Sequence, residues 1–593
     1  MGCAVFGSHL IPERLSVKHT RARNFKRGRI QVLGFDSETL QGPPITLQFY
    51  GGRHVGRFNG CIFIGKRRSM DLFLKQLKKL RPGHYRMYGH NLEFDMLSAL
   101  WEQRVKMRDG HIDLRAGDWE IHGRYSKPVF AVFNDGERYV ELIDSMLWFQ
   151  TSLEKAGALI CPNLPKLARP VGLGEVMYTA KDDDFVEYAM RDAIVAYHLG
   201  EAIERFHEEL DVEPQISLAS MAASAFRRHY MKSDMYQPQL YEWMSGAAAS
   251  YHGGVNRVQP NASPAWHTNV TALDLSSAYS TAWTHLPAFS NPLGYKPFTS
   301  KTARKLKSVE NIGVYCISGL ADACHWPAMF DHNFKPLKGR FANNWVTGFE
   351  LNQALQTGEV ALSKIKGFLY DRDCEDGYSP FAAFANHFYH EKVAAKDPIL
   401  RYMNKIVLNA PTGKLIQTSP DFTLVDGKLV KIKRAGGLYH PFAASLTTGH
   451  TRSVMHVQEH KYKALHTATD GIFAPGHHKG AVKKELGSFV AEGYGDLALF
   501  RNKLYIFYTN EESENTYPSQ VFEGRHILKC ARHGFQGRVV DLEQMLVSTL
   551  REYKTNKPLK LKTAIKRKEP PNKFVIEGRK VKNIEAFRIV NHD

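Results

Sequence analysis

Residues 268–280 read TNVTALDLSSAYS, a strand pattern that ends in a carboxylate and then turns into a helix. Val270, Ala272 and Leu273 form the apolar part, Asp274 follows them, and the helix begins near Tyr279. A carboxylate at the end of a strand can meet a second one from a neighbouring strand. The stretch therefore predicts half of a divalent metal site at Asp274.

The second half of that site is predicted in HKYKALHTATDGIFAPG, residues 460–476. The pattern is strand, turn, strand, with Asp470 and Gly471 at the tip of a hairpin. Asp274 and Asp470 would together hold two Mg²⁺ ions, which lie about 3.5–4 Å apart in such sites.

A basic segment, residues 390–414, has helical periodicity between these two acids. Lys405 and Asn409 are one turn apart and share a side of the helix, which Pro411 and Gly413 end. A cationic helix face suits a triphosphate, although a solvated basic helix has the same composition.

A separate set of acids lies in the first third of the chain. IQVLGFD predicts a buried strand, so Asp36 and Glu38 in GFDSET point to one face, and ITLQFYGG predicts the hairpin partner. GHNLEFD predicts a strand that turns into a helix, capped by Asn91 and carrying Asp95 in its first turns.

Tyr188 and Asp192 in YAMRD are four residues apart on a predicted helix. Together with the acids of the first strand and Asp95, they could bind two metals while the phenol orients a water. The alternative is that each acid is a surface or capping residue.

The three segments that contain these acids resemble the Exo I, Exo II and Exo III motifs of the DEDD-type 3′→5′ exonuclease domain of family B DNA polymerases. The resemblance implies that Tyr188 orients the water, that Asn91 and Phe94 contact the single-stranded 3′ end, and that Lys166 is the lysine between the last two motifs. DSMLWF (144–149) and TSLEK (151–155) are alternative matches to a Ser/Thr-Leu element. The implied metal ligands are Asp36, Glu38, Asp95 and Asp192.

The later segments resemble motifs A, B and C and the K-x-Y motif of the same family, and SYHGGVNRVQP (250–260) resembles its Y-x-G-G element. The resemblance extends from about residue 30 to 510 and implies two Mg²⁺ ions per active site, with Mn²⁺ as a substitute. Tyr279 would exclude a ribose 2′-hydroxyl. The implied metal site is Asp274, Leu275 and Asp470; the nucleotide contacts are Ser277, Tyr279, Lys405 and Asn409; the DNA contacts are Tyr251, Gly253, Gly254, Lys503 and Tyr505.

The chain departs from the family pattern in each of the three polymerase motifs. Ala278 and Ser280 replace Leu and Pro in motif A, Thr412 replaces the Tyr of motif B, and Ala468 replaces the first Asp of motif C. These departures motivate a second hypothesis, a DEDD-type exonuclease with a degenerate polymerase half. A third hypothesis is a non-catalytic basic DNA-binding or packaging protein.

Two insertions indicate a branch of the family. About 130 residues separate Asp274 from Lys405, too many for a loop, and residues 419–441 predict a β-hairpin. Their positions resemble the terminal-protein regions of protein-primed polymerases, which are found in linear-genome phages, viruses and linear plasmids. The resemblance implies a terminal priming protein as a partner.

The expected fold is a multidomain α/β and α+β chain: an RNase H-like exonuclease domain followed by a right-hand polymerase (palm, fingers and thumb) with insertions. A disordered basic tail is the alternative to the thumb. The predicted boundaries are a basic N-terminal arm (1–28), the exonuclease domain (29–205), the first part of the palm (206–290), an inserted terminal-protein-region-like subdomain (291–380), the fingers (381–415), a shorter insertion (416–442), the second part of the palm (443–515) and the thumb (516–593).

Composition agrees with these expectations. The 593 residues carry a formal charge of +19, which favours a polyanionic partner, although membrane surfaces and ribosomes would also fit. With no uncharged apolar run of about 18 residues, no secretory signal and no CxxC pair, we expect neither a membrane span, nor export, nor a cysteine zinc site. The resemblance implies a monomer that acts on template and primer DNA with dNTPs, in a phage host's cytoplasm or wherever the linear element replicates.

Overall fold

The computed structural model describes most of the chain from Ile30 onward. The described residues are 30–40, 43–103, 110–125, 128–170, 178–237, 241–263, 265–322, 327–425, 428–480, 485–509, 521–522, 525–532, 555–558, 574–577 and 588–590. The predicted N-terminal arm lies outside them, as does most of the predicted thumb. Within the described residues, no helix has both the length and the apolar character needed to cross a bilayer.

An eight-stranded mixed sheet forms the first part of the fold. Its strands are β1 (Ile30–Thr39), β2 (Pro44–Tyr50), β3 (Gly60–Phe63), β4 (Gly83–Gly89), β5 (His111–Ala116), β6 (Trp119–Arg124), β7 (Phe130–Asn134) and β8 (Arg138–Asp144), in the order β3-β2-β1-β4-β8-β7-β6-β5. The predicted hairpin is present as an antiparallel β1–β2 pair, whereas β4 runs parallel to both β1 and β8. This is the topology expected of an RNase H-like domain.

Helices flank this sheet, and the longest lies directly on β1. They are α1 (Ser69–Leu77), α2 (Glu93–Ala99), α3 (Met146–Phe149), α4 (Leu153–Ile160) and α5 (Asp183–Glu209). The approach of α5 depends on Gly34, where an added Cβ would lie 2.0 Å from the carbonyl oxygen of Ala193. Because Gly34 has no side chain, α5 can approach β1 beside the acids of both elements.

A second sheet carries the other acids. The first stretch of chain that builds it contains α6 (Leu218–Ala225), α7 (Tyr241–Ala249), β9 (Asn256–Val258), β10 (Ala265–Leu275) and α8 (Ala278–Trp283). Later in the chain come α12 (Pro441–Tyr462), β17 (His466–Ala468), β18 (Gly471–Pro475), β19 (Phe489–Arg501), β20 (Leu504–Thr509), β21 (Val521–Phe522) and β22 (Arg525–Arg532). The sheet order is β21-β22-β20-β19-β10-β18-β17-β9, and β25 (Arg588–Val590) also pairs with β10.

Two further units occupy the predicted insertions. The first is a four-stranded sheet with one helix: β11 (Tyr295–Ser300), β12 (Gly313–Ala321), β13 (Gly339–Thr347), α9 (Gly348–Gln356) and β14 (Val360–Tyr370), in the order β11-β14-β12-β13. We call it the inserted sheet. The second is a two-stranded hairpin of β15 (Thr418–Val425) and β16 (Lys428–Ala435).

Two helices, α10 (Pro380–Ala394) and α11 (Pro398–Asn409), separate these units. The helical pattern predicted over residues 390–414 is interrupted, because α10 ends at Ala394 and α11 begins at Pro398. Pro398 starts a new helix at its first turn, where its missing N–H leaves no helical hydrogen bond unmade, and the Asp397 side chain accepts from the Ile399 amide.

The remaining elements are short. The 3-10 helices are Arg53–Val55, Trp101–Gln103, Pro292–Gly294, Ala303–Lys305, Arg372–Cys374 and Ala410–Ile416, and a π-helical turn lies at Phe226–Tyr230. In the predicted thumb region, β23 (Thr555–Pro558) pairs with β24 (Phe574–Glu577). A large apolar core joins the first sheet's helix α5 to the second half of the chain through Leu199, Trp243 and Phe442.

Two candidate carboxylate metal sites

The first site brings together Asp36, Glu38, Asp95 and Asp192. Burial raises the pKa of Asp36 well above its usual range, and Asp95, Asp192 and Glu38 raise it further. Burial likewise raises the pKa of Glu38 to about 7 and that of Asp95 to about 8. Carboxylates raise one another's pKa only at short range, so four acids from three elements converge here.

Local contacts fix these acids in place. Alternation along β1 points Asp36 and Glu38 to the face that α5 covers. Ser37 donates a hydrogen bond from Oγ to Asp95 Oδ1 over 2.7 Å, which ties α2 to β1.

Lys166 and Arg169 bring positive charge to this site, and both lower the pKa of Glu38. Lys166 also contacts one of the acids directly. Its Nζ donates to Asp192 Oδ2 at 2.8 Å. Burial alone would lower the pKa of Lys166, but Asp192 raises it above its usual value, so the ammonium persists. Asp192 Oδ1 is buried and has no hydrogen-bond partner among the described residues. An unsatisfied buried oxygen within a group of carboxylates fits a bound divalent cation.

Tyr188 also lies in this cluster. Burial raises the pKa of its phenol, and Glu38 and Asp192 raise it further, so the hydroxyl is neutral and can donate or accept a hydrogen bond. The structure therefore places the tyrosine where a water beside the acids could be oriented.

Asn91 does not cap α2, contrary to the sequence-based prediction. Its φ is 63°, Leu92 occupies the cap position, and no side chain bonds to the cap. The left-handed turn instead directs the Asn91 amide to Asp144 Oδ1 at 2.9 Å and leaves the side chain exposed, next to the half-buried Phe94. Of the two candidate Ser/Thr-Leu elements, DSMLWF contacts the Asn91 turn through Asp144, whereas TSLEK caps α4 through Ser152.

The second site brings together Asp274 and Asp470. Asp274 pairs with Gly471 across β10 and β18, and the Leu275 amide donates to the carbonyl oxygen of Asp470 at 2.8 Å. Burial raises the pKa of Asp274 to about 7, with Asp470 the next largest cause, and burial also raises the pKa of Asp470. Two adjacent, half-buried carboxylates of this kind fit the binding of divalent cations.

Positive charge surrounds this pair. Lys405, on α11, is close enough to lower the pKa of both aspartates. Lys392, on α10, donates from Nζ to Ser277 Oγ at 3.2 Å. Each of the two helices therefore contributes one ammonium group near the site, and that of Lys392 contacts Ser277.

Lys392, Glu492 and Lys529 were missed by the sequence analysis. Glu492 raises the pKa of Asp274, and its carboxylate is ion-paired with Lys529. Glu492 lies in the alternating stretch after Val490, which pairs with Asp274. The alternation could have identified a strand, but only the register of β19 against β10 brings its acid to the site.

The Tyr251–Gly254 loop adjoins the same pair. Tyr279 makes a hydrogen bond to the backbone of Gly254, and burial, followed by Asp470, raises the pKa of its phenol. An added Cβ on Gly254 would lie 2.4 Å from Thr469 Cγ2, so the loop packs directly on the tip that carries Asp470. Asn409 Oδ1 lies 3.3 Å from Ser280 Oγ.

Lys503 and Tyr505 do not share a face of a strand, contrary to the prediction. Lys503 lies in the turn before β20, with φ 58° and an exposed side chain, whereas Tyr505 is in β20. Tyr505 packs edge-on against Phe473, with ring centroids 4.9 Å apart. The sequence did not indicate the positive φ of Lys503, because lysine rarely adopts that conformation.

Part of the chain matches a known protein family. Residues 177–421 match the family described as DNA polymerase type B, organellar and viral. No curated protein sequence matches the chain significantly.

Three solved structures share the fold. Phi29 DNA polymerase with primer-template DNA, in a post-translocation binary complex, is 14% identical at a TM-score of 0.64, and the match covers 93% of this chain and 100% of that one. Its complex with single-stranded DNA is 15% identical, with a TM-score of 0.63 and the same coverage. Its ternary complex with primer-template DNA and incoming nucleotides is 16% identical, with a TM-score of 0.63, covering 93% of this chain and 99% of that one.

Proposed function

We propose that this chain, of which residues 177–421 match the family described as DNA polymerase type B, organellar and viral, carries out template-directed DNA synthesis combined with 3′→5′ proofreading. The observation that carries the proposal is the convergence of Asp274 and Asp470 beside Lys405. Phi29 DNA polymerase, which shares the fold, is described with primer-template DNA and incoming nucleotides.

The polymerase site would work through charge and position. Asp274 and Asp470 would hold two Mg²⁺ ions, which supply Lewis acidity at the primer hydroxyl and the triphosphate. Lys405 and Lys392 would bind the phosphates, whose negative charge a basic helix face balances. Tyr279, held by the Gly254 backbone, would close the sugar pocket against a 2′-hydroxyl.

The exonuclease site would work in the same way on a frayed 3′ end. Asp36, Glu38, Asp95 and Asp192 would hold the metals, and the neutral Tyr188 phenol would orient the attacking water. Lys166 would offset part of the negative charge while it holds Asp192 in place. The exposed Asn91 and the neighbouring Phe94 would contact the strand.

We further propose that replication of a linear genome by this polymerase is primed by a protein. The inserted sheet and the β15–β16 hairpin support the proposal, because they lie where the sequence predicted the two terminal-protein regions. The test is transfer of a labelled dNMP to a protein encoded next to this chain. A labelled acceptor is expected, and its absence under conditions that support primer extension would contradict protein priming.

Primer extension tests the polymerase assignment. With an exonuclease-resistant primer, dNTPs and Mg²⁺, the wild-type chain should extend and Asp470→Ala should not. Asp496→Ala is a matched control, since that aspartate lies on β19 and binds the Asn269 amide away from the pair. If the wild type degrades DNA but never extends the primer, the polymerase half is degenerate, as Ala468 and Thr412 had suggested.

Single-strand degradation tests the proofreading assignment. Asp36→Ala combined with Asp95→Ala should abolish 3′→5′ degradation and leave extension of the resistant primer unchanged. Undiminished degradation by this variant would contradict the exonuclease assignment and would favour a contaminating nuclease over this chain.

A further inference from the structure

A cluster of two histidines and a glutamate lies apart from both carboxylate sites. His456 and His460 are one turn apart on α12, and Glu359 lies in the turn between α9 and β14 of the inserted sheet. His456 Nε2 is 2.7 Å from Glu359 Oε1 and 3.1 Å from His460 Nε2. The ligating atoms of all three lie within 4.8 Å of one another.

Neutral imidazoles have too few N–H groups to make good hydrogen bonds at both of the short contacts of His456 Nε2. A neutral imidazole has one N–H, so the contact between His456 Nε2 and His460 Nε2 needs a proton on one nitrogen and a lone pair on the other. The same His456 nitrogen also faces the Glu359 oxygen, which needs a proton from it. A cation at the centre would instead engage a lone pair on each of the three atoms.

We propose that Glu359, His456 and His460 bind one Zn²⁺ ion. Two imidazoles and a carboxylate are common zinc ligands, with bonds of about 2.0–2.2 Å, and tetrahedral ligands then lie about 3.3 Å apart. To reach that spacing, the His456–His460 separation of 3.1 Å would lengthen by about 0.2 Å and the His456–Glu359 separation of 2.7 Å by about 0.6 Å. His460 is exposed, so a solvent molecule completes the tetrahedron from the outer side.

Neighbouring groups already orient the glutamate as a metal ligand. Glu359 Oε2 accepts from the Ala328 amide at 2.8 Å, and Oε1 accepts from Thr357 Oγ1 at 2.9 Å. Hydrogen bonds to a ligating carboxylate fix its direction and raise metal affinity. His456 is buried at the centre of the site, and Glu359 is itself mostly buried.

The site is structural rather than hydrolytic. The sequence HVQEH (456–460) has the H-x-x-E-H spacing of some zinc peptidases, in which the glutamate is the general base. Here Glu459 is fully buried, pairs with the Arg257 guanidinium and accepts from Thr467 Oγ1. Its carboxylate is therefore committed to the β9–α12–β17 junction and has no place for a substrate water.

The ion would fasten the inserted sheet to α12. That helix leads through residues 463–465 into β17 and the hairpin that carries Asp470. Zinc would thus hold the inserted sheet in a fixed position relative to the polymerase site. The search for CxxC pairs could not detect this site, because none of its three proposed ligands is a cysteine.

The test measures zinc on the full chain with the carboxylate sites saturated by excess Mg²⁺. After loading with Zn²⁺ and dialysis against Mg²⁺ and a weak chelator, the wild type should retain one zinc more than His460→Ala. The zinc affinity of the variant should fall about 100-fold or more, since even residues that only orient a ligand are worth 10–100-fold. His111→Ala, an exposed histidine on β5, is the matched control and should retain as much zinc as the wild type.

Two further readouts identify the ligands. Co²⁺ in place of zinc should give the intense visible band of a tetrahedral site in the wild type and not in His460→Ala. Zn²⁺ should raise the melting temperature of the wild type and of His111→Ala only. Equal zinc retention by the wild type and His460→Ala, or a cobalt band unchanged by the substitution, would overturn the proposal. A cluster held by imidazole protonation alone would give that result.

Discussion

Arg452→Met should weaken the polymerase half of the molecule while sparing the exonuclease half. The Arg452 guanidinium is buried, and its Nε donates to Glu350 Oε1 at 2.7 Å. Its Nη1 donates to the carbonyl oxygens of His252 at 2.6 Å and Gly253 at 3.2 Å. One side chain thus ties α12 to α9 and to the loop that packs against Thr469.

The magnitude follows from what the substitution leaves behind. Burial alone would raise the pKa of Glu350, but Arg452 lowers it, so the carboxylate is ionised in the wild type. Without its partner, a buried carboxylate costs about 3–5 kcal/mol of stability. Replacing both partners, as in Arg452→Met with Glu350→Leu, removes the unpaired charge and should recover part of that loss.

The assay is the urea concentration at which primer extension is half lost, with single-strand degradation by the same molecule as the internal reference. Extension by Arg452→Met should fail at a clearly lower urea concentration, the double variant should be intermediate, and degradation should change little. Arg340→Met, at an exposed arginine on β13, is the control. If Arg452→Met resists urea as well as this control does, the buried pair does not hold the polymerase half together.

Three shorter predictions concern the two sites. Lys166→Met should slow single-strand degradation about tenfold or more, because Asp192 loses the ammonium group 2.8 Å away. The control Lys155→Met, at an exposed lysine on α4, should degrade DNA at the wild-type rate. Equal rates for the two variants would contradict a role for the Lys166–Asp192 ion pair. Gly254→Val should lower kcat/KM for dNTP incorporation in primer extension about tenfold or more, because the Cβ of the new valine would overlap Thr469. Wild-type kinetics would mean that the Tyr251–Gly254 loop does not position the polymerase site. Tyr279→Val should increase ribonucleotide incorporation relative to deoxyribonucleotide by about tenfold, measured on a resistant primer; an unchanged ratio would assign sugar selection elsewhere.

Local patterns predicted the strands and helices that carry the acids. Alternation in β1 and β10 placed Asp36, Glu38 and Asp274 correctly at strand positions, because the side-chain period of a strand is short and explicit in sequence. The hairpin that carries Asp470 is present, but its two-residue turn is Thr469–Asp470, one position earlier than predicted, because Gly471 already pairs with Ala468 and the positive φ of 62° falls on Thr469.

Strand register and the sign of the backbone angle φ could not be predicted from the sequence. Lys529 reaches Glu492 only because β22, β20 and β19 are neighbours in the sheet, although 37 residues separate the pair. The left-handed backbone at Asn91 and Lys503 reversed two local predictions, since a helix cap and a strand face both assume negative φ. The zinc cluster joins residues about 100 positions apart and depends on how α12 packs against the inserted sheet.

Anomalous scattering from Mn²⁺ would locate metal ions bound between Asp274 and Asp470. Crystals of the Asp36→Ala, Asp95→Ala variant would be grown with primer, template, a non-hydrolysable dNTP and Mn²⁺. We expect two peaks about 3.5–4 Å apart, beside the Asp274 and Asp470 carboxylates and the triphosphate. Bound nucleotide with no peak between those two side chains would contradict this expectation.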